Sequence, residues 1–257
     1  MIGLFDSGLG GLTVVQRVRE HVPGADLVFL ADQAHVPYGD RSPDQLLHLL
    51  RANLAWLDAQ GVEAIVMACN TSCAIAELHG WPTTRAPVLD LIDSAATAVA
   101  RAGYARVGVV ATAATVRAGS YGRTLRARVT GIAVFEVAAP ALVPLVEAGQ
   151  LEGEAPHEAV AAVCAELPGD LDAIVYGCTH YPVLDAHFVP ALRAGIARID
   201  PAVVQAERAA ALTPPRSGRG TIRYVTTGDP AAFRANITRI MREPDPHIES
   251  QHIAVFS

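Results

Sequence analysis

Short runs of apolar residues recur along the chain, and between them lie longer stretches whose apolar positions fall three and four residues apart. Residues 2–5, 27–30, 64–68, 88–91, 107–110, 132–135 and 174–176 make up the short runs and predict buried strands. Residues 11–21, 43–60, 94–102, 115–129, 156–167 and 183–194 carry the helical spacing. Few of the strand runs alternate polar with apolar, the pattern expected of strands covered on both faces. A βαβα order with short turns therefore predicts an α/β fold of mainly parallel sheets with helices on both sides.

The chain also repeats itself loosely. Residues 63–71 read EAIVMACNT and residues 172–180 read DAIVYGCTH, so each copy has an acidic residue, a buried strand, a cysteine and then a hydroxyl-bearing residue. Residues 3–8 and 108–112 open the two halves in comparable places. This predicts two similar α/β domains, each presenting one cysteine at the carboxyl end of a strand, where open parallel sheets hold their ligands. Facing each other, the two ends would form one active site in the cleft between domains. The expected division is 1–92 plus 201–257, carrying Cys69, and 93–200, carrying Cys178. After a polar break at 214–218, strand, helix and strand signals predict a tail that folds back onto the first domain.

Composition narrows the chemistry. With 257 residues, 51% of them hydrophobic, the chain can bury real cores. Its formal charge of −6 gives no basic field for a phosphate backbone, so nucleic acid is not expected as a main partner. The N-terminus lacks the basic region of a secretory signal, and no run of apolar residues is long enough to predict a membrane span. Four cysteines without such a signal suggest reduced thiols and a cytoplasmic protein. All 20 basic residues are arginine, which excludes a lysine Schiff base to pyridoxal phosphate and a Walker-type lysine. No cofactor is expected.

The loop Asp6-Ser7-Gly8-Leu9-Gly10-Gly11 joins a strand to a helix, and its amides suit an anion, although a tight capped turn has the same composition. Tyr38 and Gly39, in Val36-Pro37-Tyr38-Gly39, suggest a rigid lip bearing a phenol. Cys69 and Cys178 each precede a helix, where amides favour a thiolate; Asp6 is placed to assist the first and His180 the second. For any single cysteine, core filling is the simpler reading, and Cys164, inside a helical run, takes it. Zinc ligation by Cys69, Cys73, Cys178 and His180 fits no common spacing, so no metal is expected. A cysteine hydrolase using Cys178 and His180 would leave Cys69 idle. Two equivalent thiols suit a reaction in which a proton leaves one face of a carbon while another arrives on the opposite face.

Six blocks together resemble the cofactor-independent glutamate racemases of the aspartate/glutamate racemase superfamily. They are residues 3–14 (GLFDSGLGGLTV), 36–39 (VPYG), 68–71 (ACNT), 142–147 (LVPLVE), 177–182 (GCTHYP) and 226–230 (TTGDP). The resemblance implies that Cys69 acts on the D-enantiomer and Cys178 on the L-enantiomer, with Asp6 and His180 as their helpers. It implies that Asp6, Ser7, Tyr38, Gly39, Asn70, Thr71, Thr179 and His180 hold the amino acid, and that Thr115 and Glu147 line the site. A homodimer that supplies D-glutamate for peptidoglycan is also implied. The chain departs from the family pattern at Gln33 and His35, at Cys73, and at Asp93, all in positions that bear on substrate side chain and rate. Racemisation of another amino acid such as aspartate, a related decarboxylase, and a non-catalytic amino-acid or partner-binding protein are the alternatives. Retention of both thiols argues against the last two.

Overall fold

The computed structural model describes residues 1–243 and 246–253. In chain order its elements are β1 (Ile2–Asp6), α1 (Gly11–His21), β2 (Leu27–Ala31), α2 (Pro43–Ala59), β3 (Ala64–Met67), α3 (Asn70–His79), β4 (Val88–Leu89), α4 (Leu91–Ala102) and β5 (Arg106–Ala111). Then come α5 (Ala113–Ala118), α6 (Ser120–Arg128), β6 (Ala133–Ala138), α7 (Leu142–Glu147), α8 (Glu154–Ala165) and β7 (Ala173–Gly177). The chain continues through α9 (Asp185–Ala191), β8 (Ala197–Ile199), α10 (Pro201–Leu212), β9 (Ile222–Thr226), α11 (Pro230–Met241) and β10 (Ile248–Ser250).

The strands form two sheets, of order β10-β9-β2-β1-β3-β4 and β6-β5-β7-β8. Every strand pair is parallel. The inner strands β1, β2, β3 and β7 are buried along their whole length, which explains their unbroken apolar sequence. The tail adds β9 and β10 beside β2, as its sequence predicts.

Both sheets reverse strand order at an inner strand. β2 and β3 flank β1, while β6 and β7 flank β5. The crevice at such a reversal, beyond the carboxyl ends of the strands, is the standard place for a ligand. Asp6 ends β1, Cys69 follows β3, Thr112 follows β5 and Cys178 follows β7.

Local signals set the helix ends. Ser42 and Gln45 close a capping box on α2, with Pro43 in its first turn. Asp90 caps α4 by accepting from the Ile92 and Asp93 amides, which stops β4 after two residues where the apolar run predicts four. The helix predicted over 115–129 is broken: Gly119 adopts φ 65°, ending α5 and starting α6. Likewise the helix predicted over 183–194 begins as a 3₁₀ turn, Tyr181–Leu184, and ends at Ala191, with Pro190 inside its last turn. Sheet two also carries the short strand β8, whose half-exposed residues give no apolar run.

Candidate active site

The carboxyl ends of the two sheets enclose a cavity of about 80 Å³, several waters' worth of space and so suited to a small molecule. Asp6, Ser7, Cys69, Asn70 and Thr71 line it from one side, and Thr112, Cys178, Thr179 and His180 from the other. Residues 36–40 form the lip over it. Hydrogen bonds hold the two sides together. The Thr71 and Thr112 hydroxyls are 2.9 Å apart, Arg117 Nη2 donates to the Gly39 carbonyl (3.2 Å), and Thr13 Oγ1 donates to the Thr179 carbonyl (3.2 Å).

Each thiol is backed by a relay that ends in a carboxylate. On the first side, Cys69 Sγ lies 3.6 Å from Ser7 Oγ, which points at Asp6 Oδ1 (3.5 Å). On the second, Cys178 Sγ lies 3.6 Å from His180 Nδ1, and His180 Nε2 lies 2.7 Å from Glu147 Oε1. The Leu9 amide also donates to that Glu147 oxygen (3.0 Å), so the relay of the second side is anchored to the loop of the first.

Burial and charge tune these groups differently. Burial pushes the Asp6 carboxyl up to about 6, against the pull of His180 and of the Gly11 amide that donates to it. Burial, reinforced by the negative charge of Asp6, pushes the Cys69 thiol up to about 12. The Ser7 hydroxyl beside it favours the thiolate and partly offsets this. For His180, burial alone would lower proton affinity, but the contacts with Cys178 and Glu147 override it and hold the imidazole well above its ordinary range. Glu147 shows the converse: burial would raise it, and His180 holds it below the usual carboxylate value.

Helix starts supply anion-binding capacity. Cys69 caps α3 and Thr112 caps α5, so the amides at the starts of these two helices lie at the cavity, while the Gly11 amide that opens α1 is taken by Asp6. Asn70 is turned by the Tyr121 hydroxyl, which donates to its Oδ1, while its buried Nδ2 has no protein partner. Among the described residues, no arginine lines the cavity.

Two expected lining residues stand one layer back. Thr115 is fully buried against the hydroxyls of Thr112 and Thr71, and Glu147 lies behind His180. The Tyr38 phenol, expected on a rigid lip, donates to Asp32 (2.5 Å). Buried Asp32 and cavity-lining Thr112 were not singled out from the sequence. Thr112 could have been found from its place directly after a strand run, the place Cys69 and Cys178 share.

The departures from the family pattern all lie outside the cavity wall. Gln33 accepts from Thr226, and His35 contacts Asp32. Asp93 pairs with Arg208 (2.9 Å) and Arg128 on the outside of α4. Cys73 is fully buried and directed at the Asp90 carboxylate. Among the described residues, no cluster of three or more His, Cys, Asp or Glu side chains is arranged to hold a metal ion.

A sequence model of the Asp/Glu/Hydantoin racemase family matches residues 12–209. The glutamate racemase of Gloeobacter violaceus is 43% identical over 237 residues, covering 91% of this chain and 89% of its own. The crystal structure of glutamate racemase from Thermus thermophilus, in complex with beta-chloro-D-alanine, superposes with a TM-score of 0.85 at 34% identity, covering 98% of this chain and 96% of that one. That of Francisella tularensis, in complex with D-glutamate, gives 0.90 at 27% identity, covering 99% and 98%. A family match across most of the chain, together with similarity to glutamate racemases from end to end, shows that this chain belongs to the Asp/Glu/hydantoin racemase family and, within it, to the glutamate racemases.

Proposed function

We propose that the cleft interconverts L- and D-glutamate with two thiols, one removing the Cα proton while the other delivers its own proton to the opposite face, without a cofactor. The observation that carries this reading is the pair of relays, Cys69–Ser7–Asp6 and Cys178–His180–Glu147, facing one small cavity from opposite sides. With L-glutamate, the Cys178 thiolate, paired with a protonated His180, removes the Cα proton. The Cys69 thiol delivers its own proton to the other face and is left as a thiolate. Starting from D-glutamate the roles exchange. Asp6, hydrogen-bonded through Ser7, is the group that returns a proton to Cys69.

The developing carbanion charge falls on the substrate carboxylate. The amides at the starts of α3 and α5, Asn70 Nδ2 and the hydroxyls of Thr71 and Thr179 are donors fixed in advance of it, and Ser7 Oγ, whose hydrogen points at Asp6, is left to accept from the substrate ammonium. The backbone of Tyr38 and Gly39 closes the lip, and Thr115 holds Thr71 and Thr112 from behind. Domain closure excludes the water that would quench the charge. We assign residues 1–92 with 201–257 to one domain and 93–200 to the other, because each group supplies one sheet.

All four cysteines are free, which suits the cytoplasm, where D-glutamate for peptidoglycan would be made. Among the described residues no helix is long and apolar enough to cross a membrane. Association as a homodimer completes the proposal and is checked by light scattering. Chiral chromatography after incubation with L-glutamate tests the activity: formation of D-glutamate that stops at equal amounts of both isomers is expected. Turnover of aspartate with glutamate left untouched would overturn the substrate assignment.

A further inference from the structure

The block Thr226-Thr227-Gly228 has no part in the mechanism above, yet it lies against the segment that leads from β2 to the lip. Thr227 Oγ1 donates to Asp32 Oδ1 (2.7 Å) and accepts from the Ala34 amide (3.1 Å). Thr226 Oγ1 donates to Gln33 Oε1 (2.8 Å), and the Thr227 amide donates to the Ala31 carbonyl. At Gly228 an added Cβ would stand 2.8 Å from Gln33 Cβ, so the tail packs directly on the segment between β2 and the lip.

Asp32 is the hub of this contact. It is 1% exposed, and among the described residues its partners include no arginine. Instead Thr227 Oγ1 and His35 Nδ1 (2.8 Å) meet one of its oxygens, while Tyr38 OH (2.5 Å) and Asn53 Nδ2 (3.2 Å) meet the other. A buried carboxylate held by polar donors depends on each of them, because any oxygen left unpaired carries the full desolvation cost. Through Asp32, the tail, α2 and the residues following β2 all converge on the Tyr38 hydroxyl. Gly39, next along, takes the Arg117 bond from the opposite side of the cavity.

We propose that Thr227 and Asp32 are positioning residues for the racemase: the C-terminal segment, through the Thr227 hydroxyl and the Asp32 carboxylate, fixes the Tyr38–Gly39 lip over the substrate. This rests on the racemase reading for its catalytic consequence, but not for the brace itself. The lip touches substrate and transition state alike and moves no proton. Loosening it therefore weakens binding and leaves the chemical step in place.

The test compares wild type with Thr227→Val, which keeps the shape and removes the hydroxyl, and Thr227→Ser, which restores it. Amide hydrogen exchange over residues 33–41 reads the brace, and steady-state kinetics with L-glutamate read its consequence. Thr227→Val is expected to exchange faster in that segment and to raise KM about tenfold with kcat within about threefold, the scale of one lost hydrogen bond. Thr227→Ser should return both toward wild type. Either readout unchanged in folded Thr227→Val, or Thr227→Ser behaving like valine, overturns the proposal. Thr227 is half-buried; should valine fail to fold, Thr227→Ala carries the same comparison. If wild type forms no D-glutamate, the proposed function fails, and the exchange comparison still decides the brace.

Discussion

Replacing Gly10 with alanine would place a methyl group between the two thiol-bearing sides of the cleft. The backbone permits it: Gly10 has φ −56° and ψ −35°, an ordinary right-handed helical conformation. Space does not. The added Cβ would lie 2.4 Å from His180 Nδ1, 2.6 Å from Thr179 Oγ1 and 2.8 Å from the His180 amide nitrogen. Comfortable contact begins near ~3.5 Å, so His180 must retreat by about 1 Å or the two sides must part by that much. The displaced atom, Nδ1, is the one facing the Cys178 sulfur. A misplacement of about 1 Å in a catalytic group costs on the order of 100-fold in rate, or about 2.7 kcal/mol of barrier. Initial rates followed by the circular dichroism of glutamate should show kcat down by roughly that factor, with the protein still folded and its thermal midpoint lowered by several degrees, as overpacking that costs about 1–3 kcal/mol implies. A folded Gly10→Ala enzyme with kcat within about twofold of wild type would refute the close approach of the first loop to His180.

Other substitutions separate the roles of the two carboxylates. Burial raises the Asp6 carboxyl from 3.8 to about 6, so ionised Asp6 opposes folding, and its contribution to stability is lost as pH rises through that window. At two or so units, the cost at neutral pH is roughly 3 kcal/mol, and Asp6→Asn should be more stable than wild type at pH 7 but not below pH ~4, while racemising poorly. Urea melts at both pH values check this, and equal stability at pH 7 contradicts it. Glu147→Gln keeps an acceptor for the Leu9 amide but removes the charge that favours protonated His180. Stabilisation by His180 is complete below the ordinary imidazole value and lost as pH rises through its raised folded value, so the variant should lose it at lower pH. Its kcat/KM should fall about 100-fold, with the high-pH limb moved down, and a profile that superimposes on wild type would count against the relay. Ser7 Oγ lies 3.6 Å from the Cys69 sulfur and favours the thiolate, so Ser7→Ala should slow alkylation of Cys69 in a Cys178→Ala background at fixed pH. An unchanged alkylation rate would remove Ser7 from the thiolate environment.

Much of this site is legible in the sequence because its parts sit directly after buried strands. An apolar run followed by Cys69-Asn70-Thr71 or Cys178-Thr179-His180 places side chains at a sheet's carboxyl end whatever the rest of the chain does. The parallel sheets themselves are legible for the same reason, since strands buried on both faces leave unbroken apolar runs. What is not legible depends on partners distant along the chain. Asp32 reads as a loop aspartate until Thr227 and Asn53 are brought to it. Thr115 and Glu147 read as wall residues, and only packing shows Thr112 and His180 standing in front of them. The break at Gly119 was hidden because the flanking apolar positions keep helical spacing on both sides of it.

The two-thiol claim is tested most directly by following L-glutamate in deuterium oxide at early times, with substrate and product separated and their Cα isotopes measured by mass spectrometry. Two thiols on opposite faces predict that D-glutamate forms with deuterium at Cα while the recovered L-glutamate carries almost none. Deuterium appearing in recovered L-glutamate as fast as D-glutamate forms would mean that one base serves both faces, and would contradict the account.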